Sequence, residues 1–140
     1  MKNQVYAVID TNVLVSALIA KDPNYSYPLK VLECAFNGKI VPIFNDEILD
    51  EYKSVLHRAK FNLSEMDIKD AISVLHRIGV NTERTPITDK SFPDESDRKF
   101  YEVMVGWDNA FLITGNGKHF PKAPRVVTPR AMVEILEGEK

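Results

Sequence analysis

Four short runs of uninterrupted apolar residues, each closed by a polar or acidic break, constrain this chain more than any other feature. Val5-Tyr6-Ala7-Val8-Ile9 ends in Asp10, and Ile40-Val41-Pro42-Ile43-Phe44 ends in Asn45-Asp46-Glu47. Ala110-Phe111-Leu112-Ile113-Thr114 ends in Gly115-Asn116-Gly117, Arg125-Val126-Val127-Thr128 precedes Pro129, and Val80 begins a shorter run. Continuous rather than alternating apolarity describes strands buried on both faces, as in a parallel sheet. Between the runs the period becomes helical. Val13–Ala20 leaves the first strand. A second helix begins with Pro28 at its first position and ends at Asn37-Gly38. Asn45 caps a third that reaches about Arg58, and Ser64-x-x-Asp67 opens a fourth that Gly79 stops. Asp94–Val105 is the fifth, and Thr128-Pro129 starts the last. Strands alternating with helices predict an α/β fold, a three-layer α/β/α sandwich around a four- or five-stranded parallel sheet. The 140 residues contain no repeat or linker, so 1–140 is expected to form one domain. In such sheets ligands bind beyond the carboxyl ends of the strands, which directs attention to the residues that close each run.

Composition removes several chemistries. A single cysteine, Cys34, excludes an intrachain disulfide and a cysteine-rich zinc site. His57, His76 and His119 lie far apart, without metal-ligand spacing. Eighteen basic against twenty acidic residues leave a formal net charge of −2, which excludes a histone-like polycation but not a local basic patch. Asp10 interrupts the first apolar run too early for a secretion signal, and no run approaches the ~18 residues of a membrane helix. A cytoplasmic protein is the expectation.

Three acids stand out against this background. Asp10 follows the first strand, where it serves either as a cap for the next helix or as a ligand. On the helix from Asn45, residues Ile48, Leu49, Tyr52, Val55 and Leu56 form the apolar stripe at ~100° per residue. Asp46 and Glu47 suit the positive end of that helix. Glu51 lies at the edge of the stripe, snorkelling or aimed into a pocket. On the next acidic helix Phe100, Val103, Met104 and Trp107 mark the buried face. Asp97 falls within that stripe in the first turn, whereas Glu95, Arg98 and Glu102 fall on the solvent side. Asp94 reads as the N-cap. A buried carboxylate is costly unless paired or metal-bound. Convergence of Asp10, Glu51 and Asp97 would demand a cation, supplied by Lys, by Arg or by a divalent ion. Without histidine or thiolate ligands, a divalent ion would be hard, Mg²⁺ or Mn²⁺, and suited to phosphoryl chemistry. Asp94 and Asn116 are expected at the periphery, with Thr11, Asn12 and Thr114 in support. Glu47, one turn before Glu51, is the reserve ligand.

At these residues the chain resembles the PIN-domain family, in particular the VapC-like toxin branch of toxin–antitoxin systems. Asp10-Thr11-Asn12-Val13-Leu14-Val15-Ser16-Ala17 resembles the motif that follows the first strand. Ile48-Leu49-Asp50-Glu51-Tyr52-Lys53-Ser54-Val55-Leu56 resembles the helix that carries the second acid, at Glu51. Pro93-Asp94-Glu95-Ser96-Asp97 resembles the D-x-x-D turn, with Asp97 at the third acid, and Leu112-Ile113-Thr114-Gly115-Asn116 resembles the strand that ends in T-x-D or T-G-N. The four motifs occur in the family's order across nearly the whole chain. The resemblance implies a parallel sheet with an acidic pocket for Mg²⁺ or Mn²⁺, and metal-dependent hydrolysis of RNA. It further implies a homodimer inhibited by an antitoxin protein. Many relatives carry Asp where this chain has Asn116, so the resemblance implies a first metal more directly than a second.

An acidic nuclease must still hold a polyanion. Residues 109–133 contain Lys118, Lys122, Arg125 and Arg130, with His119, and no acid. They are the expected phosphate contacts. Arg58-Ala59-Lys60 and Arg98-Lys99 are weaker candidates. Two other functions compete with a metal-dependent ribonuclease. One is a non-catalytic nucleic-acid-binding module with a degraded site. The other is a small-molecule phosphohydrolase, disfavoured because Asp10 is followed by Thr11-Asn12 rather than by a second Asp two residues on.

Overall fold

The computed structural model describes residues 4–138; residues 1–3 and 139–140, at the ends of the expected domain, lie outside it. Five strands form one parallel sheet: β1 (Val5–Ile9), β2 (Ile40–Phe44), β3 (Val80–Asn81), β4 (Phe111–Ile113) and β5 (Val126–Val127), in the order β3-β2-β1-β4-β5. Six helices flank it in a three-layer α/β/α arrangement: α1 (Thr11–Ile19), α2 (Tyr27–Phe36), α3 (Asp46–Leu56), α4 (Glu65–Ile78), α5 (Arg98–Val105) and α6 (Pro129–Gly138). Every run expected as a strand is one. Ala7, Val8, Ile43 and Leu112 have no solvent exposure, as burial on both faces requires.

Register explains the least conventional strand residue. Pro42 pairs with Ala7 of β1, but β3 joins β2 only at Ile43 and Phe44. At Pro42 the strand is therefore an edge, where a missing amide hydrogen is tolerated. The helix ends follow the local chemistry. Ser26, Asn45 and Ser64 each accept a backbone N–H three residues on. Pro28 sits one place further into α2 than expected, because Ser26 takes the cap. Asp94–Val105 is not one helix: a 3₁₀ turn, Glu95–Asp97, precedes α5.

α5 lies against β1, β2 and β4, and burying Phe100 and Val103 completely anchors it there. Each such side chain contributes about 1.5–3 kcal/mol. The junction between α4 and β3 is closed by Gly79. A Cβ there would lie 2.5 Å from Phe44 Cε2, 2.5 Å from the Pro42 carbonyl oxygen and 2.9 Å from the Leu75 carbonyl oxygen. Two of these neighbours are backbone. Gly79→Ala is expected to destabilise the protein by about 1–3 kcal/mol, as overpacking does, and urea unfolding measures it.

Candidate active site

Strand order reverses at β1: β2 and β3 lie to one side of it, β4 and β5 to the other. Ligand crevices in parallel sheets form at such a reversal, beyond the carboxyl ends of the two strands that flank it. Asp10 follows β1 and Thr114 follows β4. The Asp10 amide continues the ladder to the Ile113 carbonyl at 3.0 Å, and the Thr114 hydroxyl donates to Asp10 Oδ2 at 2.7 Å. Both residues are buried, with exposures of 5% and 1%. Asp10 occupies the N-cap position of α1 but its side chain makes no cap bond. Its carboxylate instead accepts from Thr114 and lines the crevice. Beneath it Tyr52 donates its hydroxyl to the Ile9 carbonyl, and burial with the nearby Asp10 charge keeps that phenol protonated.

The other acids arrive from separate elements. Asp10, Glu51, Asp94 and Asp97 line one cavity of about 330 Å³, together with Thr11, Asn12, Ser54, Arg58 and His119. Glu51 reaches it from α3, held at Oε2 by the Thr11 hydroxyl at 2.6 Å and at Oε1 by Lys99 Nζ at 2.7 Å. Asp94 caps the 3₁₀ turn by accepting from the Ser96 amide and hydroxyl. Asp97 stands at the N-terminus of α5, its Oδ2 3.5 Å from His119 Nδ1. Glu47 points elsewhere, to Arg84 and Asn45, so the helix carries Glu51 rather than the reserve acid to the cavity.

These carboxylates feel one another. Burial raises the pKa of Asp10, and the Glu51 charge adds to this against the Thr114 bond. Asp97 is pushed up to about 6, first by burial and then by the charges of Asp10 and Asp94. Asp94 is held low by its Ser96 bonds. The donor set is all oxygen and its negative charge is only partly compensated, which fits a hard divalent cation. Among the described residues, however, no three Asp, Glu, His or Cys side chains stand together as a ready metal cage. Asp10, Glu51 and Asp94 are each turned toward a separate internal donor, Thr114, Thr11 with Lys99, and Ser96 respectively, and Asp97 lies 3.5 Å from His119.

The expected basic contacts divide. His119 lines the cavity. Lys118 lies beside it in the turn Gly117–His119 after β4, and Lys122 follows; both are exposed. Arg125 precedes β5, its guanidinium bonded to Asn109 and over the Phe111 ring. That is the amino end of the sheet, so Arg125 does not join the mouth: the loop after β4 runs back along the sheet before β5 begins. Arg130 is exposed on α6, paired with Glu134 at 3.1 Å and placed over Tyr27. Asn116 does not line the cavity; its amide donates to Thr114 Oγ1 at 2.9 Å.

One residue expected in solvent is buried. Glu102 is 4% exposed, bonded to Arg84 Nε at 2.7 Å and to the Ile87 amide at 2.9 Å, with Arg98 at 3.7 Å. Burial opposes its ionisation, but the Ile87 amide and Arg84 outweigh burial and hold its pKa low. A helical wheel locates the face toward the sheet. It does not show that residues 82–94, which lack regular structure, fold over the opposite side of α5. Arg98 joins this clamp by donating to the Ile87 and Lys90 carbonyls, so it too is half-buried. Lys99 was legible by the criterion that singled out Glu51, since it lies one turn before fully buried Val103.

A family model described as PIN domain matches residues 6–118, and the chain belongs to the PIN-domain family. The match contains all four cavity acids. PIN domains are generally nucleases that use divalent metal ions. Comparison with curated proteins and with solved structures gave no match. No helix among the described residues is long and apolar enough to cross a membrane.

The raised pKa of Asp97 carries a stability consequence. Its carboxyl holds a proton more tightly in the folded state than in the unfolded chain, so ionisation opposes folding. The opposition is absent below the ordinary value of 3.8 and complete above about 6. In EDTA at neutral pH, Asp97→Asn is expected to melt higher than the wild type. The difference should close as pH falls through that window, and thermal melting across pH checks it.

Proposed function

We propose that this PIN domain is a metal-dependent ribonuclease that hydrolyses RNA phosphodiester bonds and acts as the toxin of a toxin–antitoxin pair. The observation that carries the nuclease reading is the gathering of Asp10, Glu51, Asp94 and Asp97 on one cavity beyond the carboxyl ends of β1 and β4. The toxin assignment rests on the resemblance of the Asp10–Ala17 motif, and it carries a homodimer, an antitoxin partner and a cytoplasmic setting with it.

Asp10, Glu51 and Asp97 would hold Mg²⁺ or Mn²⁺, with Asp94 beside them. Bound there, the ion supplies an activated water and neutralises charge on the phosphate. The chain's own residues prepare the site. Thr114 orients the Asp10 carboxylate through its Oδ2, and Thr11 orients that of Glu51 through its Oε2. Arg58 brings positive charge to the cavity wall, with His119 also lining it, where a phosphodiester backbone would lie. His119 Nδ1 lies 3.5 Å from Asp97 Oδ2 on the cavity wall. Lys118 and Lys122 extend the positive surface outward, while Arg125 is too far round the sheet edge to take part.

A non-catalytic RNA-binding module is the second reading, favoured by the separate pairing of each carboxylate. One substitution separates the two. Asp10→Asn keeps the acceptor for Thr114 and removes one charge. It should remain folded yet lose cleavage of single-stranded RNA in Mn²⁺ by at least about a hundredfold, in the range of other lost electrostatic contributions to catalysis. EDTA should abolish wild-type cleavage. Wild-type cleavage that survives EDTA, or full activity in Asp10→Asn, would refute the metallonuclease reading. Absence of cleavage across a broad set of RNAs would leave the binding module.

Substrate affinity should be electrostatic in either case. Charge reversal at exposed Lys118 and Lys122 is expected to weaken RNA binding and to flatten its dependence on salt, because fewer counterions are released. A salt titration of RNA binding by the two variants and the wild type measures both effects.

A further inference from the structure

Lys99 is a lysine where lysines are seldom found. Its side chain is 12% exposed, and its ammonium lies 2.7 Å from Glu51 Oε1. It also donates to the Ser96 carbonyl and stands over the Phe100 ring at 5.0 Å. Lysine is almost never buried unless it is paired. Its pairing with Glu51 is made by α5, the helix that Asp97 begins, so one element delivers both an acid and a cation to the same place.

The surrounding charges explain why a cation is needed there. Glu51 adds to the repulsion that Asp10 and Asp97 experience. Thr11 satisfies one oxygen of Glu51, but a hydroxyl supplies no charge. Lys99 supplies the charge on the other oxygen. The Coulomb energy of a divalent ion beside Glu51 would be opposed by the ammonium already on it.

We propose that Lys99 is the resident cation of the metal-free site, which holds Glu51 in place and is displaced from it when Mg²⁺ or Mn²⁺ enters. Lys99 is then a positioning residue that sets how tightly the domain takes metal. The same residue keeps the carboxylate cluster stable while no metal is present. Its Nζ has a second anchor, the Ser96 carbonyl, to which it remains bonded when Glu51 turns to the ion. The exchange presupposes the metal-dependent reading of the cavity, but it makes a separate demand. A lysine that merely fills space would leave metal affinity unchanged when replaced by an uncharged chain of similar length.

The test is titration of Mn²⁺ into the full chain by calorimetry, for the wild type, Lys99→Gln and Lys99→Arg. Lys99→Gln should bind Mn²⁺ about tenfold more tightly than the wild type and melt lower in EDTA. Lys99→Arg, which keeps the charge, should stay near the wild-type affinity. Unchanged or weaker binding by Lys99→Gln, with Mn²⁺ bound by the wild type, overturns the exchange and leaves the nuclease reading intact. Failure of both proteins to bind Mn²⁺ overturns the exchange and the metal reading together. If Lys99→Gln does not fold, the wild type alone decides. Acetylation of Lys99, followed by mass spectrometry, should accelerate several-fold when Mg²⁺ is added, since release from Glu51 frees the amine. An unchanged rate at saturating Mg²⁺ overturns the proposal.

Discussion

Like charges gathered at the carboxyl edge of a sheet repel, and this one constraint organises much of the molecule. Asp10, Glu51 and the pair Asp94 and Asp97 come from three places in the sequence, and nothing in hydrophobic burial favours their meeting. Asp10, Glu51 and Asp94 are each held by a specific donor instead. Thr114 reaches across the strand reversal to Asp10, Thr11 crosses from α1 to Glu51 on α3, and Ser96 bonds Asp94 within the turn. These donors are uncharged, so each orients its acid without neutralising it. Among the groups bonded to these acids, Lys99 brings a full charge.

The sheet supplies what those donors presuppose. Five strands in the order β3-β2-β1-β4-β5 place the ends of β1 and β4 side by side, although more than a hundred residues separate Asp10 from Thr114 in the chain. Their hydrogen bond is therefore a long-range contact that exists only when the sheet has formed. Site assembly and completion of the fold are one event at this bond. A conservative change to Asn at Asp10 keeps this bond, because Asn still accepts from the Thr114 hydroxyl.

Much of this was legible in the sequence, and the limits follow from what each signal measures. The apolar runs gave all five strands because burial on two faces leaves no room for alternation. The motif at Asp10 and the stripe position of Glu51 pointed to the cavity because a helix wheel reports the direction of the sheet. The wheel misplaced Glu102 for the same reason. It sees one neighbour of α5, whereas residues 82–94 cover the other side without any periodic pattern of their own. Arg125 was misplaced because proximity in sequence to β4 does not say at which end of β5 the chain arrives. Lys99 was noted only as a basic residue, since its partner lies 48 positions away at Glu51, a distance no local pattern spans.

The clamp on residues 82–94 has a mechanical consequence. The Thr85 amide bonds the Glu102 carbonyl, the Ile87 amide bonds its carboxylate, and Arg98 grips the Ile87 and Lys90 carbonyls. All of these grips belong to α5, whose first turn also begins at Asp97. Residues 85–90 are thus fastened to the helix, whereas at the start of the loop the Thr82 amide bonds the Phe44 carbonyl of β2 and Arg84 reaches Glu47 of α3. A small rotation of α5 as the cavity fills would carry residues 85–90 with it against that fixed start. Their outer surface would then report on the cavity at a distance, and amide hydrogen exchange at Thr85 and Ile87 would register it without any ligand touching them.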